Sequence, residues 1–266
     1  MTSFLSHNEI SVSKEFERNG FIIADIKDKK LIHEIRKLFS NFIKKKIQIN
    51  KKISDHDLLN NFHKKIKPKD LNNFRLKIIN DVNKIKTLRK NYYDLSKEYL
   101  NILLGNELAM QLRVNLSIQL PKDNSSLLPL HSDVWSGDSP YETVVWVPLV
   151  NCYRTKSMFI LPPQKFKNLQ KNLIKTKKKI SIDSIYDFIK KDLIWINIKF
   201  GQVLIFNQCL PHGNTINKEK ETRWSLNCRF KSIFSPYKDK KIGEFFEPIT
   251  LRKISEIGSK YKYPKF

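Results

Sequence analysis

"MQLRVNLSIQL", residues 110–120, alternates without a break. Met110, Leu112, Val114, Leu116, Ile118 and Leu120 are apolar, and Gln111, Arg113, Asn115, Ser117 and Gln119 are polar. A period of two is the pattern of a β-strand, whose successive side chains point to opposite faces. The spacing predicts one long strand with a wholly apolar face. Its other face has two readings: a solvated outer surface, or the wall of a polar cavity.

On the N-terminal side, "NGFIIADI" (19–26) reads as a short strand. In the stretch that follows, Leu31, Ile32, Ile35, Leu38, Phe39, Phe42 and Ile43 recur at helical spacing, and Asp28 suits the N-cap. Helix-like sequence continues over 56–104, with Ile78, Ile79, Val82 and Ile85 as a second stripe, and Gly105 ends it. On the C-terminal side, strands are expected in "TVVWVPLV" (143–150), "SMFIL" (157–161), "GQVLIF" (201–206) and "RWSLNCRFKSIF" (223–234). A lysine-rich insertion at 164–200 reads as partly helical, then strand-like.

Helices followed by strands predict a mainly β fold, an antiparallel sandwich or barrel braced by N-terminal helices. The expected organisation is a single domain over 1–266. Residues 1–107 are its mainly helical part, 108–235 its β core and 236–266 a C-terminal extension.

With 40% hydrophobic and 11% aromatic residues, the chain has the composition of a folded globular protein. The net charge of +24 raises nucleic acid as a partner. The excess is mostly lysine, however, spread through stretches such as "FIKKKIQINKK" (42–52) and "NLIKTKKKISI" (172–182). Dispersed lysines read as a solvated surface rather than a nucleic-acid face, with anionic sugars, nucleotides or lipid head groups as the other partners such a charge would attract. Cys152, Cys209 and Cys228 show no C-x-x-C spacing and read as reduced core thiols. No apolar run is long enough for a spanning helix, and the opening residues lack the apolar centre of a secretory signal, so a cytoplasmic location is expected.

"LPLHSDVW" (128–135) places His131 and Asp133 two residues apart in a segment that otherwise reads as buried. On a strand they project to one side and can share a metal. His212, in "CLPHGNT", follows a predicted strand and completes two histidines and a carboxylate. That facial set is diagnostic of non-haem Fe(II) oxygenases. Arg223 and Ser225 share a face in "TRWSLNCRF" and can hold a carboxylate by charge-assisted hydrogen bonds, with Arg229 on the same face as the rival anchor.

The ordered set H-S-D, H-G-N and R-W-S resembles the Fe(II)/2-oxoglutarate-dependent dioxygenases, and within them the phytanoyl-CoA hydroxylase-like group. "FERNGFIIADI", "QLRVNL" and "GQVLIFNQCLPHGN" extend the likeness over most of the chain apart from the lysine-rich segments. "HSDVWSGDSPYETVVWVPLV" and "TRWSLNCRFK" look like a bacterial subgroup found among carbohydrate-biosynthesis genes. The resemblance implies a double-stranded β-helix, or jelly-roll, with the polar face of 110–120 lining its interior. It implies that His131, Asp133 and His212 bind iron and that Arg223 with Ser225 holds the distal carboxylate of 2-oxoglutarate. Asn115, and less directly Gln111, are implied as further co-substrate contacts. Trp146 reads either as an aromatic beside the co-substrate or as a core tryptophan.

The implied reaction consumes 2-oxoglutarate and O2, releases succinate and CO2, and hydroxylates a carbohydrate, nucleotide-sugar or related metabolite. The loop after Asp133 is expected to overhang the metal, which makes Trp135, Ser136, Asp138 and Tyr141 candidate substrate contacts. Arg154 and Lys156 read as phosphate contacts or as surface charge. Two features depart from the family pattern: a turn that reads P-G-S-H in many relatives is "LPPQ" (161–164), and Gly201 is followed by Gln202 rather than Asp. The alternative reading is a basic module for nucleic acid or anionic membranes on a catalytically silent barrel.

Overall fold

The computed structural model describes residues 4–49, 52–175 and 180–265. Its N-terminal part comprises α1 (His7–Asn19), β1 (Phe21–Asp25), α2 (Lys29–Lys46), α3 (Asp55–Asn60), α4 (Pro68–Val82), α5 (Leu88–Asp94) and α6 (Lys97–Leu104). There follow β2 (Leu108–Gln111), β3 (Asn115–Gln119), β4 (Glu142–Pro148), β5 (Phe159–Ile160), α7 (Pro163–Lys175), α8 (Ile182–Ile189) and β6 (Ile194–Trp195). The chain continues through β7 (Gln202–Asn207), β8 (His212–Gly213), β9 (Arg223–Ser232), β10 (Phe246–Pro248) and α9 (Lys253–Gly258). Among the described residues, no helix is long and apolar enough to cross a membrane.

The stripe in α2 is buried at Ile32, Ile35, Phe39 and Ile43, and the Asp28 side chain caps the helix by accepting from the Leu31 N–H. The region 56–104 is divided among α3 to α6, and Gly105 ends it with φ of 88°. Ile78 and Val82 are buried in α4, whereas Ile85 lies beyond that helix and is exposed.

One sheet holds seven strands in the order β1-β7-β4-β9-β2-β10, with β3 also paired to β9; the other runs β6-β5-β8. All the strand pairs of both sheets are antiparallel. β10 shows that the C-terminal extension contributes a strand.

The strand expected over 110–120 is broken at 112–114. Met110 faces Phe230 and Asn115 faces Asn227, so five steps along this chain match three along β9: a bulge of two residues. The Asn83 side chain holds the bulge, accepting from the Val114 N–H and donating to its carbonyl at 2.9 and 3.0 Å. Two extra residues preserve the parity of the faces. The alternation therefore survives the break.

Trp224, Leu226, Cys228 and Phe230, on one face of β9, are fully buried in one core with Val145 and Val147 of β4 and the apolar stripe of α2. Trp224 Nε1 donates to the Leu59 carbonyl at 3.0 Å and Tyr92 Oη to that of Val145 at 2.8 Å, so α3 and α5 are fastened to the back of the sheet. The odd-numbered residues of β9 face the other way. From the insertion, Leu169, Ile185 and Ile189 pack with Leu130 and Phe159, directly beneath His131; residues 176–179 of the insertion, and residues 50 and 51 of the earlier lysine run, lie outside the described residues. Cys152 and Cys228 are buried free thiols and Cys209 is half-buried.

Candidate metal centre

A cavity of about 480 Å³ opens against the odd-numbered face of β9, lined by both sheets. β8 carries His212 into it. His131 and His212 form an antiparallel bridge, each N–H donating to the other's carbonyl at 2.9 and 2.8 Å. Gly213 permits this approach, because a Cβ there would sit 2.8 Å from the carbonyl oxygens of Leu128 and Pro129. Asn214 pins the same segment: its N–H donates to the Leu128 carbonyl, and its Oδ1 accepts from the Leu128 N–H at 2.9 Å.

The segment 128–135 is not the buried strand that the alternation of His131 and Asp133 suggested. Leu128 is exposed, and Asp133 opens a short 3-10 turn, Asp133–Ser136, that ends at Gly137 with φ of 91°. The two side chains converge nonetheless, because the His212 bridge fixes one and the Asp133 N–H bond to Gln208 fixes the other.

Ligand atoms of His131, Asp133 and His212 lie within 4.8 Å of one another. In both histidines Nδ1 lies 2.8 Å from a backbone carbonyl, of Pro129 and of Leu210 respectively. A carbonyl only accepts, so Nδ1 carries the proton and Nε2 keeps its lone pair for a metal. Burial, and then the neighbouring His131, press the His212 pKa down to about 4, so this imidazole is neutral at physiological pH. Two imidazoles that present Nε2, together with a carboxylate, fit a first-row divalent ion with open positions.

Arg229 orients the carboxylate. Its Nη2 lies 2.8 Å from Asp133 Oδ2, while Asp133 Oδ1 is turned to His131, 3.6 Å from Nε2. Arg229 Nε reaches Asp138 Oδ2 at 3.2 Å and Gln208 Oε1 at 3.0 Å, and Lys240 pairs with Asp138 from the far side.

Arg223, 2% exposed, occupies the other end of the face. It donates to the Ser157 carbonyl at 3.2 Å and Ser117 Oγ at 2.9 Å, both neutral. Its Nε and the Oγ of Ser225 are buried without a partner. Burial lowers its pKa to about 10, which leaves it charged at neutral pH. Among the described residues no carboxylate forms an ion pair with it, and a buried cation so placed calls for an anionic ligand. Asn115 donates to Asn227 across β3 and β9 at 3.1 Å, and both line the cavity with Trp146 and Val144 of β4 and Phe206 of β7.

The sequence matches no family model and no curated protein significantly. Solved structures of similar fold include three with the following likeness. EctD from S. alaskensis, with bound Fe, is 14% identical over 89% of this chain and 81% of that chain, with a TM-score of 0.53. SnoK, a non-heme alpha ketoglutarate dependent carbocyclase from nogalamycin biosynthesis, is 11% identical over 93% of this chain and 97% of its own, also at 0.53. AviO1 from Streptomyces viridochromogenes Tue57 is 12% identical over 88% and 99%, at 0.52. The chain therefore shares its fold with the Fe-bound EctD and the alpha ketoglutarate dependent SnoK. At such identities the likeness is one of fold, and the chemistry has to be argued from the side chains.

The structure brings His131, Asp133, His212, Arg223, Asn115 and Trp146 to one cavity. Ser225 lies behind its lining, and Gln111 supports it indirectly, Oε1 accepting from the Arg229 N–H at 3.3 Å. The expected overhanging loop is elsewhere. Trp135 lines a separate apolar cleft with Phe166 and Leu173, Ser136 and Tyr141 are exposed, and Asp138 is buried in its ion pairs. Arg154 is exposed outside the cavity, and Lys156 is fully buried, bonded to Asn60 Oδ1 and Glu221 Oε2 at 2.8 and 2.6 Å. "LPPQ" leads into α7, and Gln202 Nε2 bonds Asp25 at 3.2 Å.

The sequence reading missed Gly213 and Asn214 as determinants of the His131 bridge, and Asn72 and Arg75 of α4 as cavity residues. The H-G-N tripeptide was signal enough for the first two. Nothing local marks the last two.

Proposed function

We propose that the chain is an Fe(II)- and 2-oxoglutarate-dependent dioxygenase of the phytanoyl-CoA hydroxylase-like kind, built on a double-stranded β-helix. Its substrate is a carbohydrate, nucleotide-sugar or related small metabolite, and succinate and CO2 are released. The observation that carries this reading is the presence, in one cavity, of the His131–Asp133–His212 cluster and a buried arginine that no carboxylate among the described residues pairs. EctD, with its bound Fe, and the alpha ketoglutarate dependent SnoK support it through the shared fold.

In this reading bound Fe(II), with 2-oxoglutarate and O2, supplies the oxidising chemistry. His131 and His212 hold the metal through Nε2 and Asp133 through the oxygen that Arg229 leaves free. Arg223 and Ser225 clasp the distal carboxylate, which satisfies the Arg223 Nε and the Ser225 hydroxyl together. Asn115 attends the keto-acid end, with Gln111 steadying Arg229 behind it. Trp146, Val144 and Phe206 wall the pocket and limit water. Substrate enters along the part of the cavity lined by Asn72 and Arg75 of α4 and by residues 125–128, none of which lines the cleft that holds Trp135.

The test is succinate formation from 2-oxoglutarate by the aerobic, Fe(II)-loaded protein against a panel of sugars and nucleotide-sugars. Turnover that disappears in Asp133→Ala supports the reading. Failure of the wild type to consume 2-oxoglutarate with any of them, or equal turnover by the variant, contradicts it.

A further inference from the structure

The cavity contains a third arginine that neither metal nor co-substrate explains. α4 runs beside β3 and holds it at two points: the Asn83 side chain at Val114, and Arg75 Nη1 to the Leu116 carbonyl at 3.4 Å. Arg75 Nη2 donates to Asn72 Oδ1, one turn earlier, at 2.7 Å. The residue is half-buried and lines the cavity that holds the metal cluster.

Both acceptors are neutral. A guanidinium has five N–H donors, and among the described residues no carboxylate pairs with this one. Among the described residues Asp133 is the one carboxylate on the cavity wall, and it is committed to Arg229. Asp123, two residues before the lining Ser125, accepts from the Ser125 N–H and hydroxyl instead. The charges at the inner end are therefore answered, Arg229 by Asp133 and Asp138 and Arg223 by the proposed co-substrate. Among the described residues of the cavity wall, Arg75 is the remaining cation without a counter-charge.

We propose that Arg75 forms an anion subsite at the mouth, so that the substrate carries a carboxylate or phosphate. Asn72 and Ser126 offer further polar contacts there, and Leu127 with the exposed Leu128 provides an apolar flank for the adjoining part of the molecule. A planar guanidinium with unused N–H groups grips either oxyanion by charge-assisted bonds. The assignment of this anion to the substrate rests on the dioxygenase reading; the subsite itself does not.

The experiment is anaerobic calorimetry on the full chain with three matched probes: glucose, glucuronate and glucose 6-phosphate. Each is titrated with and without Fe(II) and 2-oxoglutarate, into wild type, Arg75→Gln and Arg75→Lys. At least one acid is expected to bind about ten-fold or more tighter than glucose, in line with a hydrogen bond to a charged group. The preferred acid identifies carboxylate or phosphate. Arg75→Gln should erase the advantage while 2-oxoglutarate binding stays unchanged, and Arg75→Lys, which keeps the charge, should retain part of it. Equal binding of all three probes by wild type, or an advantage that survives in Arg75→Gln, overturns the proposal. Loss of 2-oxoglutarate binding by wild type would count against the dioxygenase reading alone, since the metal-free titrations still decide the subsite.

Discussion

Arg229 divides the two oxygens of Asp133. Nη2 takes Oδ2 at 2.8 Å, and Oδ1 is left facing the imidazole of His131. One oxygen is thereby left open to a metal, as the proposed function requires, and the other is fixed by a cation that Asp138 and Gln208 hold in turn. Replacing Arg229 by Gln should weaken divalent-metal affinity about ten-fold or more, the usual range for outer-shell partners of a ligand. Titration of the metal-free protein with Co(II) measures it, and unchanged affinity would show that Asp133 needs no such support.

Gly213 controls the distance between the histidines. Gly213→Ala would place a Cβ 2.8 Å from two backbone carbonyl oxygens, so the segment carrying His131 must retreat from β8. The expected result is a destabilisation of about 1–3 kcal/mol with a weakened metal site. Chemical denaturation and Co(II) titration read the two effects separately. A variant as stable and as tight as wild type would mean that the bridge tolerates the extra carbon.

His212 should make the metal-free protein sensitive to acid. Its pKa is lowered from 6.5 to about 4 in the folded state. Between those values the unfolded chain binds more protons than the folded one, so stability rises with pH. The contribution is complete above about pH 6.5 and is lost as pH falls through about 4. Denaturation curves across that window should flatten in His212→Asn. The same slope in both proteins would assign the acid sensitivity to other groups.

Lys156 holds the chain together rather than a ligand. Its Nζ is shared by Asn60 and Glu221, and the latter remains partly exposed, so Lys156→Met should cost only about 1–3 kcal/mol. Binding of 2-oxoglutarate and of the anionic probes should not change. A selective loss of probe binding would return Lys156 to the site.

Much of this was legible in single residues. The alternation over 110–120 identified the faces of β2 and β3 correctly because the bulge between them inserts two residues and keeps parity. It hid the break because Asn83, some thirty residues earlier, provides the bonds that hold it. His131 and Asp133 were visible as ligand types, although a bridge and a turn bring them together rather than a strand. What local pattern does not encode is the fate of isolated charges. Asp138 reads as a substrate contact and Lys156 as a phosphate contact or surface charge until Arg229, Lys240, Asn60 and Glu221 come to them from distant segments, and Arg75 becomes a cavity residue only when α4 docks beside β3.

The central claim is that His131, Asp133 and His212 hold one ion next to an acid clasped by Arg223. Anaerobic addition of Fe(II) and then 2-oxoglutarate tests it most directly, through the visible charge-transfer absorption of a keto acid chelated to ferrous iron. The account predicts that band in wild type, its loss in His212→Ala, and a raised 2-oxoglutarate requirement in Arg223→Ala. No band in wild type, or one untouched by His212→Ala, would contradict it.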